Sequence, residues 1–476
     1  FLSIPLAGML PDLPMNRLLG GMVAVSYGVE KGVLRDEERR LQVNYVADPG
    51  STSYVTPDYA GEVLLAMQKT YDTLTTADWP KPDGWLGGWI VATVTDMGPA
   101  NGTKGSTTKG VFGQPWIKIN SNLASGSQLA TTTAHEMGHA FQRQLTTVFS
   151  LKWIDEAAAG WAAVAALGAE ADLSTDLVSG ADFPTLSLPT TFGSGYDEDQ
   201  GYAAAGLAVW MEQVSPGSVL RVYEQLRDST LAWADARGTL AAATGLTPEK
   251  IAEEFGIAWW TQTIDLVSGL SIALTMRDWT RWEGVMLMDS RPAFSSRRFD
   301  VSIKGEFAAE LAGRDVVVRT SGLDPGRTVR IYRDTLPCGV AGPSMQSMVT
   351  VFSVNPSELL GAHDPSTRCY RVLVLNASQE GPATVYVSLV SPHISSLYPS
   401  SGKNDGGYTI SIGGQGFGGT PGQVQLGGFG LDIVQWTDTS IEATMLDAGT
   451  MLGTAPVVVT TAEQAVTNST TFTFVD

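Results

Sequence analysis

Positive charge and long apolar runs are both scarce in this chain of 476 residues, and each absence removes a class of function. Thirty lysine and arginine residues face 49 aspartate and glutamate residues, which gives a formal net charge of −19. Such a surface repels nucleic acid and anionic lipid, and the basic residues form no stripe that could follow a DNA or RNA backbone. The longest uncharged apolar run, from Ala157 to Ala169, is too short to span a membrane. The sequence therefore predicts neither a nucleic-acid partner nor a membrane span.

Cysteine is scarcer still, with Cys338 and Cys369 as the two examples. A bridge between positions 31 residues apart would stabilise the fold by roughly 3 to 4 kcal/mol. A disulfide indicates export, whereas two buried thiols in a cytosolic protein are the alternative. The chain begins with Phe1 rather than methionine, which indicates that it has been trimmed or processed, so that any signal peptide is missing from the sequence. We therefore expect a secreted or cell-surface protein.

Histidine occurs four times, and two of the four lie in one motif, His135-Glu136-Met137-Gly138-His139. Residues four apart share one face of a helix, so both imidazoles can bind one metal ion while Glu136 lies beside the open coordination position. Accidental matches to this pattern are expected on the order of a few times per thousand chains of this composition. Two solvated histidines on a helix are the alternative. His363 and His393 have no partner at metal spacing, and we predict that both are solvated.

A zinc ion in a hydrolytic site takes three protein ligands and one water, so a third donor is required. The metzincin pattern is excluded because Gln142 and Leu145 stand where it needs glycine and histidine. The next acidic residues, Asp155 and Glu156, open a second predicted helix. Both helices carry small residues one turn apart, which would let them approach closely. These small residues are Ala134, Gly138, Ala159, Gly160 and Ala163. We predict Glu156 as the third ligand, and Asp197 in a charged loop is the rival.

The two motifs together resemble the gluzincins, metallopeptidases with an HExxH helix and a glutamate ligand on the next helix. The resemblance is greatest to a group of secreted bacterial metalloproteases whose motif helix reads HExxHxxQ and whose ligand helix reads WxxExxAxW. The matching residues of the ligand helix are Trp153, Glu156, Ala159 and Trp161, and Gln142 completes the first pattern. Two departures are a slightly shorter spacer between the motifs and Gly160 in place of a frequent aspartate.

The resemblance implies a zinc-dependent enzyme that hydrolyses peptide bonds. Glu136 would take a proton from a water acidified by the metal and deliver it to the leaving amine. Tyr202 lies in the region where such enzymes often place an oxyanion-stabilising group, and a core tyrosine is the alternative. Asp155 either orients a ligand imidazole or is a charge favoured by the N-terminus of its helix. The strand predicted at Trp116–Asn120 is either an edge to which an extended peptide could add or an interior strand.

The changing periodicity along the chain predicts a multidomain α+β protein. Residues 1–40 read as an N-terminal extension or propeptide remnant. Residues 41–285 read as a zincin-like domain with a mixed sheet and a helical lobe, and 286–390 as an antiparallel β-sandwich that holds both cysteines. Residues 391–476 resemble an IPT/TIG domain, an immunoglobulin-like fold, through a proline-bounded opening, the turn Gly413–Gly418 and the stretch Trp436–Ile441.

Two functional hypotheses from different classes follow. The first is a secreted zinc metallopeptidase whose β domains serve attachment, substrate presentation or self-association, and whose N-terminal segment could hold it latent. The second is an extracellular surface or appendage protein in which the zincin lobe is non-catalytic and the β domains bind partners. The intact set of His135, Glu136, His139 and Glu156 favours the first hypothesis, because a lobe retained for its shape alone does not need a base.

Overall fold

A computed structural model describes the greater part of the chain, and the described residues form two compact units. The first unit contains the described residues up to 246 together with residue 264, and the second contains residues 247–263 and those from 275 onward. The described residues are 31–82, 88–109, 114–145, 152–172, 204–228, 236–264, 275–282, 284–291, 295–323, 326–340, 347–352, 357–377 and 383–475.

The first unit contains a five-stranded mixed sheet. Its strands are β1 Lys31–Asp36, β2 Leu41–Val46, β3 Ile90–Thr95, β4 Gly105–Lys109 and β5 Pro115–Asn120. The strand order is β1-β2-β3-β5-β4, with β2, β3 and β5 parallel and β1 and β4 antiparallel at the two edges. Burial alternates along β3, as expected for a strand whose two faces meet different surroundings. Strand β1 lies within the stretch that the sequence assigned to an N-terminal extension.

The edge of this sheet differs from one of the sequence expectations. Strand β5 pairs with β3 on one side and β4 on the other, so Trp116–Asn120 is interior and not an edge. The edge strand is β4, which falls in the Gly/Thr-rich stretch 98–110, whose composition is typical of a loop. Glycine and threonine read as turn residues, and the pairing with β5 outweighs that local preference.

Helices cover the sheet and continue beyond it in the first unit. They are α1 Pro57–Thr76, α2 Ser127–Leu145, α3 Lys152–Leu167, α4 Ala205–Val214, α5 Ser218–Asp228 and α6 Ala236–Thr244. The Thr56 hydroxyl accepts the Tyr59 N–H at 3.2 Å, and Pro57 takes the first helical position, so α1 starts where its sequence is pre-organised to start. Helix α2 packs against α1, α3, β4 and β5. No described helix is long and apolar enough to cross a membrane.

The second unit begins with helix α7 and two facing sheets. Their elements are α7 Pro248–Thr261, β6 Thr275–Trp279, β7 Val285–Arg291, β8 Ser295–Ile303, α8 Phe307–Leu311, β9 Asp315–Ser321, β10 Arg327–Asp334, β11 Ser347–Phe352, β12 Ser357–Ala362, β13 Cys369–Asn376 and β14 Ala383–Val390. The sheet orders are β11-β10-β13-β8-β6 and β12-β9-β14-β7. All these pairs are antiparallel except β6 with β8. The two sheets share one apolar core, which includes Val316, Val329, Val372 and Val387.

Helix α7 belongs to this β unit, although its sequence resembles the helices before it. The Trp260 indole N–H donates to the Ser296 hydroxyl at 2.8 Å, and a Cβ added at Gly256 would lie 2.9 Å from a Leu375 methyl group. The helix thus packs on β8 and β13.

The predicted disulfide between Cys338 and Cys369 is confirmed, with a Cα–Cα distance of 5.2 Å. It fixes a loop whose Gly339 N–H donates to Asp300 at 2.9 Å. Arg298 holds the same buried carboxylate through two hydrogen bonds of 2.6 and 2.9 Å. Fork-shaped pairing of this kind offsets the large cost of burying both charges. The disulfide is consistent with an extracellular protein.

The last part of the chain forms two further sheets around a second apolar core. The strands are β15 His393–Tyr398, β16 Ser401–Lys403, β17 Thr409–Gln415, β18 Gln423–Leu426, β19 Phe429–Gly430, β20 Asp432–Trp436, β21 Ser440–Thr444, β22 Gly453–Thr460 and β23 Thr470–Val475. They are ordered β15-β17-β21-β20 and β16-β23-β22-β18-β19. Ile412, Val424, Val457 and Phe472 lie in the core between them.

Polar contacts join these last sheets to the preceding sandwich. Arg319 of β9 pairs with Asp438 at 2.7 Å and donates to the Gly416 carbonyl at 2.7 Å. The Val466 N–H donates to Asp315 at 2.8 Å. A small apolar cluster lies at the same junction and contains Val317, Val390 and Ala465.

The prediction that His363 and His393 are solvated is wrong for both. His363 is 1% exposed, and its Nδ1 lies 2.9 Å from the Tyr370 hydroxyl. Burial, together with the nearby Arg333, lowers the pKa of His363 to about 4. His393 is half-buried, with its ring stacked on Trp282 at a centroid distance of 4.6 Å. Both environments come from residues distant in sequence or from a neighbouring sheet, which a local turn pattern does not reveal.

The buried His363 should make the protein sensitive to acid. Its folded pKa of about 4 lies below the ordinary 6.5, so its contribution to stability is present above pH 6.5 and is lost as the pH falls through 4. Between pH 7 and pH 4.5 the wild type should lose about 2 to 3 kcal/mol more of its free energy of unfolding than His363→Gln loses. The glutamine can still bond Tyr370 and takes up no proton. Urea unfolding followed by tryptophan fluorescence at both pH values measures this difference. Equal losses in both proteins would rule the effect out.

Candidate metal centre

Helices α2 and α3 approach each other closely at Gly138. A Cβ added there would lie 3.0 Å from the Ala162 Cβ and 3.1 Å from the Ala159 Cα. Ala134 and Ala163 are fully buried in the same contact. The structure therefore confirms that small residues on both helices allow the approach that a short ligand side chain requires.

The approach brings the three predicted donors into one group. Glu156 Oε2 lies 2.9 Å from His135 Nε2 and 3.4 Å from His139 Nε2. The ligand atoms of the three residues all lie within 4.8 Å of one another. Both imidazoles are buried, and Glu156 is partly buried. These residues form a buried candidate metal-binding group, while Asp197 and Tyr202 lie outside the described residues.

The electrostatics of the group are those of a tightly paired carboxylate. Burial alone would lower the pKa of His139, but the Glu156 carboxylate outweighs it and raises that pKa to about 9. Burial alone would raise the pKa of Glu156, but the charge and hydrogen bonds of the two imidazoles hold it well below its ordinary value. Glu156 is therefore ionised at neutral pH, which is the state in which a carboxylate binds a metal ion.

Gln142 orients the second imidazole. Its Oε1 lies 2.7 Å from His139 Nδ1, and its Nε2 donates to the Asp155 carbonyl at 2.9 Å. Because the amide oxygen can only accept, Nδ1 carries the proton in this pair and Nε2 faces Glu156. The side chain that fixes the tautomer thus comes from the motif helix itself, and it also ties that helix to the start of α3.

Asp155 lies in the first turn of α3, as one of the two sequence interpretations states, and its side chain also bonds a residue of another helix. Its carboxylate accepts the Tyr223 hydroxyl at 2.8 Å. It is 9% exposed, so this carboxylate at the start of the helix is buried. Burial raises its pKa, against the opposing charge of His139 and the Tyr223 hydrogen bond. Asp155 therefore ties the start of α3 to α5.

Glu136 is not one of the three donors. It is 6% exposed, and its carboxylate is turned toward β4, where the Thr107 hydroxyl lies 2.6 Å from Oε2. A Cβ added at Gly105 of the same strand would lie 2.7 Å from Oε1. Sequence reasoning found neither Gly105 nor Thr107. The signal it overlooked is their spacing of two, which puts both on one face of a strand.

The comparisons with known proteins place one domain firmly. The family model of the IPT/TIG domain matches residues 392–474, which confirms the predicted C-terminal immunoglobulin-like domain. No curated protein matches the chain.

Matches to solved structures are distant. The plexin A4 extracellular region is 19% identical over 18% of this chain and 10% of that chain, with a TM-score of 0.17. An auxiliary nutrient binding protein from Bacteroides ovatus is 18% identical over 18% of this chain and 21% of that chain, with a TM-score of 0.15. The γ-CGTase of alkalophilic Bacillus clarkii is 14% identical over 86% of this chain and 51% of that chain, with a TM-score of 0.17. The chain thus spans about half or less of each protein, and scores this low carry no information on shared function.

The close contact at Gly138 should control metal affinity. Gly138→Ala would push α3 away from α2, and we expect a loss of about 1 to 3 kcal/mol in stability and of about tenfold or more in zinc affinity. Gly61→Ala in α1 is the matched control, because a Cβ there meets no atom within 4 Å and should stabilise its helix by up to about 1 kcal/mol. Calorimetric titration with zinc and thermal unfolding of both variants measure the two effects. Wild-type zinc affinity in Gly138→Ala would show that the helix contact does not set the donor geometry.

Proposed function

We propose that this protein is an extracellular zinc-dependent peptidase of the gluzincin type, with His135, His139 and Glu156 as metal ligands and Glu136 as the general base. The observation that carries the proposal is the separation of the two roles. Three donors converge on one point, and Glu136, the remaining polar residue of the motif, is bonded instead to a strand of the sheet. A site built only to bind a structural metal has no need of this second carboxylate.

The donor set fits zinc in kind and in spacing. Two imidazoles and one carboxylate form a recognised catalytic combination that leaves one position open. Donors held at about 2.0 to 2.2 Å around a tetrahedral ion lie roughly 3.3 to 3.5 Å apart. The 2.9 and 3.4 Å separations between Glu156 Oε2 and the two imidazole nitrogens are close to that requirement.

Each residue of the site then has a definite task. When bound, zinc supplies Lewis acidity that polarises a carbonyl and acidifies water. Glu136 accepts the proton of the attacking water and passes it to the leaving amine. Gln142 accepts the Nδ1 hydrogen of His139, so Nε2 is the nitrogen that would bind the metal.

The substrate class rests on the resemblance of the two motifs and on the position of β4. Among the described strands, β4 pairs with β5 alone, so its outer edge is open to another strand. An extended peptide that added there would run beside the strand that contacts Glu136. This placement favours an unfolded or extended polypeptide over a compact small molecule.

The second candidate is a non-catalytic surface protein whose β domains bind partners. The observation that favours it is the IPT/TIG domain at residues 392–474, together with the polar junction that joins it to the preceding sandwich. The two candidates differ in what loss of Glu136 does. Loss of that base abolishes a peptidase and leaves a binding protein unchanged.

Metal content and one isosteric variant test the enzyme directly. We expect about one zinc per chain by elemental analysis, and cleavage of a denatured protein that stops with chelator and returns with zinc. Glu136→Gln should keep the metal while cleavage falls by roughly 10²- to 10⁴-fold. Glu38→Gln, which alters an exposed carboxylate, is the control. Loss of zinc in Glu136→Gln, or undiminished cleavage, would falsify the role given to that residue.

Zinc binding should also release a proton from the site. With a pKa of about 9, His139 carries two ring protons at pH 7 in chelator-treated protein, and the metal takes the neutral imidazole. We expect about one ligand proton released per zinc at pH 7, with the number falling as the pH rises through 9. Calorimetry also counts protons from the metal-bound water, so the ring nitrogen shifts of His139 in chelator-treated protein, followed by NMR from pH 6 to 10, are the direct measurement. A titration midpoint near the ordinary 6.5 would contradict the assignment of the proton to His139.

A further inference from the structure

We propose that β4 contains the positioning residues for the catalytic base, with Thr107 holding one carboxylate oxygen of Glu136 and Gly105 leaving room for the other. The inference rests on the proposed function and deepens it, because it concerns how the base is aimed rather than which residue is the base. It assigns roles to two residues outside both sequence motifs.

The hydroxyl of Thr107 faces two oxygens of the same residue. It lies 2.6 Å from Glu136 Oε2 and 2.9 Å from the Glu136 carbonyl. A threonine hydroxyl has one proton to donate, and a bond to an ionised carboxylate is shorter and stronger than a bond to a neutral carbonyl. The shorter contact therefore takes the proton and fixes the rotation of the carboxylate about its last bond.

Thr107 and Glu136 are both buried, which makes the hydrogen bond between them hard to replace. Thr107 is 8% exposed and Glu136 is 6% exposed, so little water reaches Oε2 to replace the hydroxyl. A buried carboxylate oxygen without a donor is costly, and the side chain would rotate away to find one. With Thr107 present, Oε2 is occupied and Oε1 remains for proton transfer.

Gly105 has no Cβ, and this leaves room for the Glu136 carboxylate. A Cβ at this position would lie 2.7 Å from Oε1, 2.8 Å from Cγ and 3.0 Å from Cδ of Glu136. Such contacts are too short, so a larger residue must displace the carboxylate. Because Gly105 and Thr107 are two apart on β4, they present the gap and the donor on one face of the strand.

A purely structural role for Thr107 would give a different result. In that case the hydroxyl would serve the helix backbone through the Glu136 carbonyl, and the Glu136 side chain could change without altering what Thr107 contributes. The two roles separate in a double-mutant cycle between Thr107 and Glu136, measured by unfolding of the full chain in chelator. This readout does not depend on catalysis.

The cycle uses Thr107→Val, Glu136→Gln and the double variant, with Thr107→Ser as the conservative rescue. Thr108→Val is the matched control, because Thr108 is the neighbouring, exposed residue of the same strand. We expect the unfolding equilibrium constants to be non-additive by roughly tenfold for Thr107 with Glu136, and additive for Thr108 with Glu136. Additive behaviour in both cycles would overturn the proposal.

Activity then gives a second, independent readout. In zinc-loaded protein we expect Thr107→Val to lower kcat by roughly ten- to a hundredfold with KM and zinc content nearly unchanged. Thr107→Ser should restore most of kcat, and Gly105→Ala should lower kcat while retaining zinc. A change confined to KM, or no rescue by serine, would show that Thr107 does not aim the base.

The two levels of inference fail in different ways. If the wild type binds zinc but cleaves nothing, while the cycle is non-additive, the peptidase assignment falls and the contact between Thr107 and Glu136 holds. If the wild type cleaves and Thr107→Val cleaves equally well, the peptidase assignment holds and the positioning role falls.

Discussion

The candidate centre depends on how closely two helices can approach. Gly138 faces Ala159 and Ala162 across the contact, and no side chain larger than a methyl group separates the two backbones there. Only at that distance does the short side chain of Glu156 reach both imidazoles of the motif helix. Without it, the two buried imidazoles would lose the carboxylate that pairs with both of them, and the cost of burying them would weaken the fold. Gln142 adds a second tie between the helices by donating to the backbone of α3 at Asp155.

The two units bury charge in different ways, and the difference separates a metal site from a structural one. Glu156 is paired with imidazoles, which can lose a proton and offer the same nitrogen to a metal ion. Asp300 is paired with Arg298, whose guanidinium stays charged and donates a hydrogen bond to each carboxylate oxygen. Asp300 also lies near Cys338 and Cys369, but their sulfurs are joined in a disulfide and are not free to bind a metal ion. Proximity of acidic and sulfur groups is therefore insufficient, because the lone pairs must also be available.

The sequence predicted the centre better than its surroundings. The helices over Ser127–Leu145 and Lys152–Leu167 follow from apolar and small-residue spacing, and the convergence of the donors follows from where those residues fall on each helix. Strand β4 was missed because its pairing with β5, not its own composition, makes it a strand. His363 was misjudged for a related reason, since its burial comes from Tyr370 and the sheet around it.

The sequence by itself determined the features that repeat within a few residues: the imidazoles one helical turn apart, the strand-rich composition of the second half, and the turns and proline-bounded opening of the IPT/TIG domain. Tertiary structure alone decided which groups hold those features in place. Thr107 contacts Glu136 across 29 positions, and Tyr223 contacts Asp155 across 68. Such contacts depend on the packing of strands and helices against one another. Local periodicity indicates whether a segment is a helix or a strand, but it does not indicate which segments become neighbours.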